Sequence, residues 1–192
     1  MSTILPNTNK TFENKDFSKD RLPKGEYDLC VFKNCDFSNA KISNIEFLEC
    51  EFLNCNLSNI EVINTAFKEV HFSGCKVIGI NFSKCNPFLL DFSFDTCQLS
   101  YSVFFKLELK GMSFKDCNLQ EVDFTEANLS KATFDNCDLM KAVFDETNIE
   151  SADFYSAYNY NINPENNQLK KAKFSKEGVL GLLETYQILI KD

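Results

Sequence analysis

The sequence predicts an all-β solenoid of short stacked repeats, and two observations support that prediction. Apolar residues recur at every fifth position from Phe12 to Phe82 without a miss, and again from Leu99 to Phe154. A period of five fits neither the 3.6-residue turn of an α-helix nor the two-residue alternation of a strand. The residue two positions before each periodic one is small or apolar, as at Cys35. So short a repeat, sustained for so long, indicates units that stack along one axis.

The repeat units resemble a known consensus. Segments such as Ala127-Asn-Leu-Ser-Lys and Ala152-Asp-Phe-Tyr-Ser are similar to the A(D/N)LXX pattern of the pentapeptide-repeat family. The resemblance extends over roughly residues 10 to 175. It implies a right-handed quadrilateral β-helix in which four pentapeptides form one coil, with about eight coils in all.

A coil of four pentapeptides would place every fourth periodic residue on the same face. The first face then contains only phenylalanine: Phe12, Phe32, Phe52, Phe72, Phe92, Phe114, Phe134, Phe154 and Phe174. A slip of two residues between Phe92 and Leu99 lengthens one coil and leaves this column of rings intact. The second, third and fourth faces begin at Phe17, Leu22 and Tyr27.

The chain divides into three parts. Residues 1–10 are predicted to be a flexible N-terminus, residues 11–175 the β-helix, and residues 176–192 a C-terminal α-helix followed by a short strand at 188–190. Ser175 is a candidate N-cap, and apolar residues fall on one side of the helix. We expect this element to cap the core and to join two copies of the chain. The candidate dimerisation residues are Val179, Leu180, Leu182, Leu183 and Tyr186.

Nine cysteines occur, and each lies two positions before a periodic residue. Six of them would form one column on the second face, which could be a metal or redox ladder or simply a row of small buried side chains. Parallel side chains one strand apart do not suit a disulfide, and no histidine stands beside them to complete a closed metal site. We therefore predict buried, reduced thiols and no metal.

The sequence shows no catalytic constellation. The single histidine, His71, falls at an outward position, and the six glycines are too scattered to form a phosphate-binding loop. A solenoid filled with phenylalanine offers no substrate cavity. We therefore predict a binding protein without a cofactor rather than an enzyme. No apolar segment resembles a signal peptide or a membrane span, so we expect a cytoplasmic protein without membrane contact.

The net charge of −8 argues against direct nucleic-acid binding, which needs a basic surface. Residues 115–165 contain eleven acidic residues and three lysines, an excess of eight, so this segment holds the whole net charge. Its length corresponds to roughly 12 Å of solenoid axis, over which B-DNA carries about seven phosphate charges. The local charge density is therefore similar to that of DNA.

The charge pattern and the C-terminal stretch Asn161-Ile-Asn-Pro-Glu-Asn-Asn167 resemble the Qnr, MfpA and microcin B17 immunity group of the same family. That resemblance implies a DNA-mimicking dimer that binds DNA gyrase or topoisomerase IV and protects it from quinolones or a peptide toxin. The simpler interpretation is that the acidic residues keep an outward face soluble. The candidate partner-binding residues are Glu121, Asp123, Glu126, Asp138, Asp145 and Glu146.

A second hypothesis is a structural or regulatory scaffold for another protein partner. Unusual apolar residues near the slip could form an exposed patch that meets such a partner, or could reflect local repacking around an irregularity. The candidate patch residues are Phe88, Phe94, Tyr101 and Phe105.

Overall fold

The periodic residues pair with their equivalents one coil away, so the chain forms a parallel β-solenoid of about eight coils. The structure is a computed structural model that describes residues 7–88 and 90–191. Over most of its length the register advances by one coil of four pentapeptides, as in the pairing of Phe32 with Phe52. The right-handed sense of the coil stays a prediction.

In the described residues, parallel sheets form on the first face and on the N-terminal part of the fourth. Single bridges join the second face, the third face and the C-terminal part of the fourth. A nine-stranded sheet covers the first face, and a four-stranded sheet covers the N-terminal part of the fourth face. The strands are β1 Asn7–Thr8, β2 Thr11–Glu13, β3 Glu26–Asp28, β4 Val31–Lys33, β5 Glu46–Leu48, β6 Glu51–Leu53, β7 Ala66–Lys68, β8 Val70–Ser73, β9 Phe92–Asp95, β10 Ser113–Lys115, β11 Thr133–Asp135, β12 Asp153–Phe154 and β13 Lys173–Phe174. A 3₁₀ helix spans Phe82–Lys84.

A continuous stack of phenylalanine rings fills the first face. Neighbouring rings lie nearly parallel, with centroids 4.9 Å apart between Phe12 and Phe32 and 4.6 Å apart between Phe134 and Phe154. Rings from other faces meet this stack edge-on, as Phe37 meets Phe32. Both geometries suit aromatic pairs, so the stack contributes more than its buried area alone.

The predicted column is wrong at one position, because Phe94 rather than Phe92 stacks between Phe72 and Phe114. At Asn86 the backbone hydrogen bond to the preceding coil still joins residues at the usual separation in sequence. At Phe92, which pairs with Val70, that separation is two residues longer. The slip therefore lies between residues 86 and 92, before the predicted segment.

Phe92 is nevertheless buried, with 2 % of its surface exposed. It occupies the corner position two before a periodic residue, where the chain normally carries cysteine or alanine. The step of twenty residues from Tyr27 predicts Pro87 as the fourth-face residue at this level, but it is exposed. The Phe92 ring takes up that space and packs edge-on against Phe67, with centroids 6.1 Å apart.

All nine cysteines are buried free thiols. In the second-face column the Cys75 thiol donates to the carbonyl oxygen of Phe52 at 3.2 Å and accepts the backbone N–H of Cys55 at 3.3 Å. Thr65 and Thr147 hold equivalent corner positions, and each hydroxyl donates to a backbone carbonyl in the preceding coil. These small side chains thus satisfy backbone groups at the buried corners.

Most corners in the described part of the solenoid are turned by a residue with positive φ, two positions after the periodic residue. In the N-terminal half the corners are mostly asparagine, which adopts this left-handed conformation more readily than other non-glycine residues. Their side chains also stack along the axis, as Asn64 Nδ2 donates to Asn44 Oδ1 at 3.1 Å.

The C-terminal segment does not form the predicted α-helix. Two short 3₁₀ helices, Gly178–Leu182 and Glu184–Tyr186, replace it, and no α-helix occurs in residues 7–88 or 90–191. Two glycines explain the difference. Glycine weakens an α-helix, and here Gly178 and Gly181 lie so close to Tyr160 that an added Cβ would collide with it. The predicted strand at 188–190 is also not formed.

At the other end, the ladder begins earlier than residue 11, because Asn7 and Thr8 pair with Tyr27 and Asp28. The remainder of the predicted flexible N-terminus, residues 1–6, lies outside the described residues. Within the described part of the chain, no helix has the length and apolar character needed to span a bilayer.

Candidate interaction surface

The six candidate acidic residues lie on the second and third faces and on the corners beside them. Asp138 bridges Asn118 on the second face, and Asp123 bridges Val143 on the third. We call Glu121, Asp123, Glu126, Asp138, Asp145 and Glu146 the acidic surface. The solenoid therefore brings residues that are spread over 26 positions of sequence onto two adjoining sides of one or two coils.

Three of these acids occupy corners in the left-handed conformation. The φ angles are 56° at Glu121, 56° at Glu126 and 52° at Glu146. This conformation costs a residue with an ordinary side chain roughly 1 kcal/mol. All three side chains are exposed, so a partner can reach their carboxylates.

Hydrogen bonds hold the acids on the faces in place. Asp138 accepts from the side chains of Gln120 at 2.6 Å and Asn159 at 2.8 Å, and from the Met140 backbone N–H at 3.1 Å. Asp123 accepts the Thr125 backbone N–H at 2.9 Å. Such fixed carboxylates lose little side-chain entropy when a partner binds.

The ion pairs leave most of this surface uncompensated. Lys106 lies 3.0 Å from Glu126, and Lys141 lies 3.9 Å from Glu121. In the described residues no lysine, arginine or histidine forms an ion pair with the remaining four, which are Asp123, Asp138, Asp145 and Glu146.

The first face has a different charge arrangement. Asp95 pairs with Lys115 at 3.4 Å and Asp153 with Lys173 at 2.9 Å, each across one coil. The hydrogen bond from Lys173 lowers the pKa of Asp153. An open groove of about 430 Å³ runs along this face beside Lys115, Asp135 and Tyr155. Its charges are mostly neutralised within the chain, unlike those of the acidic surface.

The predicted apolar patch near the slip is not assembled. Phe94 is 1 % exposed and belongs to the core. Phe105 is half-buried, with the ammonium of Lys106 4.8 Å from its ring centroid. Phe88 and Tyr101 are exposed, but Phe88 lies in the slip between residues 86 and 92, and Tyr101 lies at the corner between the second and third faces.

The predicted dimerisation residues sit in the C-terminal cap. Val179, Leu180 and Tyr186 are exposed, whereas Leu182 and Leu183 are half-buried and Leu182 packs against the core. The apolar residues at 188–190 are also exposed, and Leu189 is 91 % exposed. The cap is fixed by a few polar contacts, including Asn161 Nδ2 to Glu184 Oε2 at 2.8 Å.

Sequence reasoning missed a set of exposed apolar side chains inside the acidic surface, namely Met140, Val143 and Tyr158. The repeat itself could have revealed Met140 and Val143, because they stand next to the periodic residues Leu139 and Phe144 at positions that are normally polar, whereas Tyr158 lies beyond Phe154, where the periodic run ends.

His71 lies outside this surface, on the first face. Its Nδ1 is 2.8 Å from Ser93 Oγ. No cluster of three histidine, cysteine or acidic residues suited to a metal ion occurs in residues 7–88 and 90–191.

Solved structures similar to this chain share its solenoid. A trypsin-treated form of QnrB1, described as a plasmid-mediated fluoroquinolone resistance protein, superposes with a TM-score of 0.50 at 21% identity, covering 96% of this chain and 99% of that one. Full-length QnrB1 gives 0.50 at 16% identity, covering 94% and 99%. HetL from the cyanobacterium Nostoc sp. Strain PCC 7120, described as involved in heterocyst differentiation regulation, gives 0.48 at 14% identity, covering 88% and 86%.

Comparison at the level of sequence gives the family. No curated protein matches the chain. The family model for the pentapeptide repeat region matches residues 27–104, 86–154 and 107–180. These overlapping matches account for most of the solenoid, and the chain therefore belongs to the pentapeptide repeat family.

Proposed function

We propose that this protein is a DNA mimic that binds a bacterial type II topoisomerase, DNA gyrase or topoisomerase IV, and protects it from quinolones or a peptide toxin. The observation that carries the proposal is the acidic surface, where four of six carboxylates have no ion pair within the described residues. Six of the eleven acidic residues in 115–165 lie on or beside the second and third faces, whereas Asp135 and Asp153 lie on the first.

The amount of charge matches the role. Residues 115–165 hold eleven acids against three lysines over about 2.5 coils, or roughly 12 Å of axis. A duplex presents about seven phosphate charges over that length. A basic channel built to receive DNA would therefore meet a comparable negative density, which would steer association and make it strongly dependent on salt.

The likeness of the solenoid to QnrB1 supports the class of target. QnrB1 is described as a fluoroquinolone resistance protein. The family resemblance implies that such proteins engage DNA gyrase or topoisomerase IV. The likeness at 21% identity concerns the fold, so the target is proposed on the acidic surface together with that fold.

We further propose that two copies join through the C-terminal cap, where Val179, Leu180 and Leu189 are exposed. Twofold association is the commonest assembly of soluble chains. It would place two acidic surfaces on either side of the dimer centre and extend the negative rod.

The decisive test is a supercoiling assay with purified gyrase, with and without a quinolone, together with binding at low salt. Asp145→Asn/Glu146→Gln should weaken any inhibition or protection and lower the salt dependence of binding. Glu49→Gln/Glu69→Gln removes the same charge from exposed residues in the N-terminal half and should have little effect. The proposal fails if the unmodified protein neither binds gyrase nor changes its activity.

The scaffold hypothesis now depends on Phe88 and Tyr101 alone, because Phe94 is buried and Phe105 is half-buried. A pull-down distinguishes the two hypotheses. Loss of partner binding with Phe88→Asp, combined with no loss on neutralising Asp145 and Glu146, would favour the scaffold over the DNA mimic.

A further inference from the structure

Three exposed apolar side chains stand among the carboxylates of the acidic surface. Met140 is 41 %, Val143 46 % and Tyr158 46 % exposed. Tyr158 bridges Asp138 in the neighbouring coil of the second face, and Val143 bridges Asp123 on the third. We call Met140, Val143 and Tyr158 the apolar cluster. Met140 and Val143 lie in one coil and Tyr158 lies in the next. Each is beside an acid, either at the equivalent position of the neighbouring coil or on the same face.

Single exposed apolar residues are ordinary on protein surfaces. This cluster differs because the repeat offers polar alternatives at each position. In the preceding coil, Gln120 occupies the position equivalent to Met140. Asn118 and Asp138 occupy the positions equivalent to Tyr158 in the two preceding coils. Apolar residues also occur earlier in two of these rows, at Ile78 and Val103, but both are half-buried. Met140, Val143 and Tyr158 are exposed, at the place where the negative charge is concentrated.

Charge complementarity contributes more to the rate and specificity of association than to its affinity. Binding energy in protein interfaces is concentrated in a few buried anchors, and tyrosine and methionine are enriched there. Asp138 is fixed by three hydrogen bonds, one of them from the backbone of Met140. The cluster therefore combines apolar anchors with fixed carboxylates, which is the pattern of an interface core beside a polar rim.

We propose that the apolar cluster anchors a protein partner whose surface is rich in lysine or arginine and also presents apolar side chains. The inference rests on the proposed function for the role of the acidic surface and specifies how that surface recognises its partner. Charge complementarity identifies the occupant, because the cluster shares its faces with the acidic surface, where four of six carboxylates form no ion pair within the described residues. Recognition by charge alone would need no such anchors.

The test uses two synthetic peptides of equal charge and length, one of alternating lysine and leucine and one of alternating lysine and glycine. Fluorescence anisotropy gives the affinity of the full chain for each at low and at high salt. We expect the lysine–leucine peptide to bind about tenfold more tightly, with a preference that persists at high salt. Equal affinities for the two peptides would overturn the proposal without any variant.

The variant Met140→Gln/Val143→Thr/Tyr158→Asn places polar side chains typical of these rows on the surface. It should lose the preference for the lysine–leucine peptide and retain binding of the lysine–glycine peptide. Ile63→Thr is the matched control, since Ile63 is 52 % exposed on the third face in the N-terminal half. Circular dichroism checks the fold of both variants.

Two further results would count against the proposal. A preference that survives in the triple variant would place the anchor elsewhere, for instance on the cap. A change in sedimentation mass in that variant would show that a second copy covers the cluster. If the gyrase assay fails but the peptide preference persists, the topoisomerase is rejected as the target and the apolar cluster still stands as a binding site. The two proposals can therefore fail separately.

Discussion

At the scale of single residues, the corners of the solenoid differ between the two halves of the chain. Asn34, Asn39 and Asn54 turn corners in the N-terminal half, whereas Glu121, Lys141 and Glu146 do so in the C-terminal half. Asparagine adopts a positive φ at a lower cost in free energy than glutamate does. The charged corners of the C-terminal half therefore cost stability relative to asparagine.

This difference predicts that Glu146→Asn stabilises the protein. Glu146 has a φ of 52° and no ion pair within the described residues. Asparagine relieves the left-handed conformation, so the free energy of unfolding should rise by about 0.5–1 kcal/mol. The same variant should weaken partner binding, because it removes a carboxylate. Urea unfolding and gyrase binding measure the two effects.

Glu146→Gln separates the two causes, because it removes the charge and keeps a side chain without the preference of asparagine. It should weaken binding without the gain in stability. If both variants stabilised the chain equally, relief of charge repulsion rather than backbone conformation would explain the result.

The buried thiols and phenols predict a loss of stability at alkaline pH. Burial raises the pKa of Cys50 and of Tyr27 to about 12 each. In the unfolded chain these groups ionise at their ordinary values, while in the folded chain they stay protonated. The folded state then binds more protons, so stability falls as the pH rises above about 9, by up to about 1.4 kcal/mol per pH unit for each such group.

Urea unfolding at a series of pH values between about 8 and 11 measures this slope. Cys50→Ser removes one of the linked thiols and should flatten the slope. The serine hydroxyl can replace the thiol contact to the Tyr27 carbonyl oxygen, as Ser102 contacts Val77 in an equivalent corner. A stability that stayed constant across this range would contradict the prediction.

At the scale of elements, the structure could be predicted from the sequence wherever the repeat is regular. It could not be predicted where the repeat is interrupted. The period of five predicted the solenoid, the phenylalanine stack and the buried cysteines, because each depends on one inward position per repeat. It misplaced the slip, because Phe92 and Phe94 both fit an inward position and only the hydrogen-bond register distinguishes them.

The cap and the corners were missed for physical reasons. Apolar spacing at Val179, Leu182 and Leu183 suits a helix, but the contact of Gly178 and Gly181 with Tyr160 is tertiary and leaves no trace in a local pattern. The acidic residues were found by composition, whereas their left-handed corner geometry follows from the sharp turn between faces.

The slip between residues 86 and 92 contains one exposed and one buried phenylalanine, which can be compared in a test. Phe92 is 2 % exposed and replaces the missing fourth-face residue, whereas Phe88 is 69 % exposed. Phe92→Ala should cost about 3–5 kcal/mol, because a cavity opens beside Phe67 and Phe82. Phe88→Ala should change stability by less than about 0.5 kcal/mol. Thermal unfolding compares them, and similar costs would show that Phe92 does not fill the core.

At the scale of the whole molecule, the solenoid distributes its charge unevenly along the axis. The excess of eight negative charges lies in residues 115–165, and the remaining acids and bases of the chain balance. The acidic surface is therefore next to the C-terminal cap rather than in the middle of the chain. Association through the cap would bring two such surfaces together at the centre of a longer rod.

This arrangement predicts that the dimer depends on apolar residues of the cap. Leu180 is 47 % and Leu189 91 % exposed, and a partner copy would remove this surface from water. Leu180→Glu/Leu189→Glu should therefore convert a dimer into a monomer of 22.0 kDa in sedimentation equilibrium. It should also weaken gyrase binding, since one acidic surface would replace two.

Leu29→Glu is the control for this change, because Leu29 is 48 % exposed in the N-terminal half and its row continues with Glu49 and Glu69. It should leave the dimer intact. A mass of 22.0 kDa for the unmodified protein at every concentration would contradict association through the cap. The acidic surface of one copy would then have to act alone, and its effect on gyrase would be that of a short rod with one negative end.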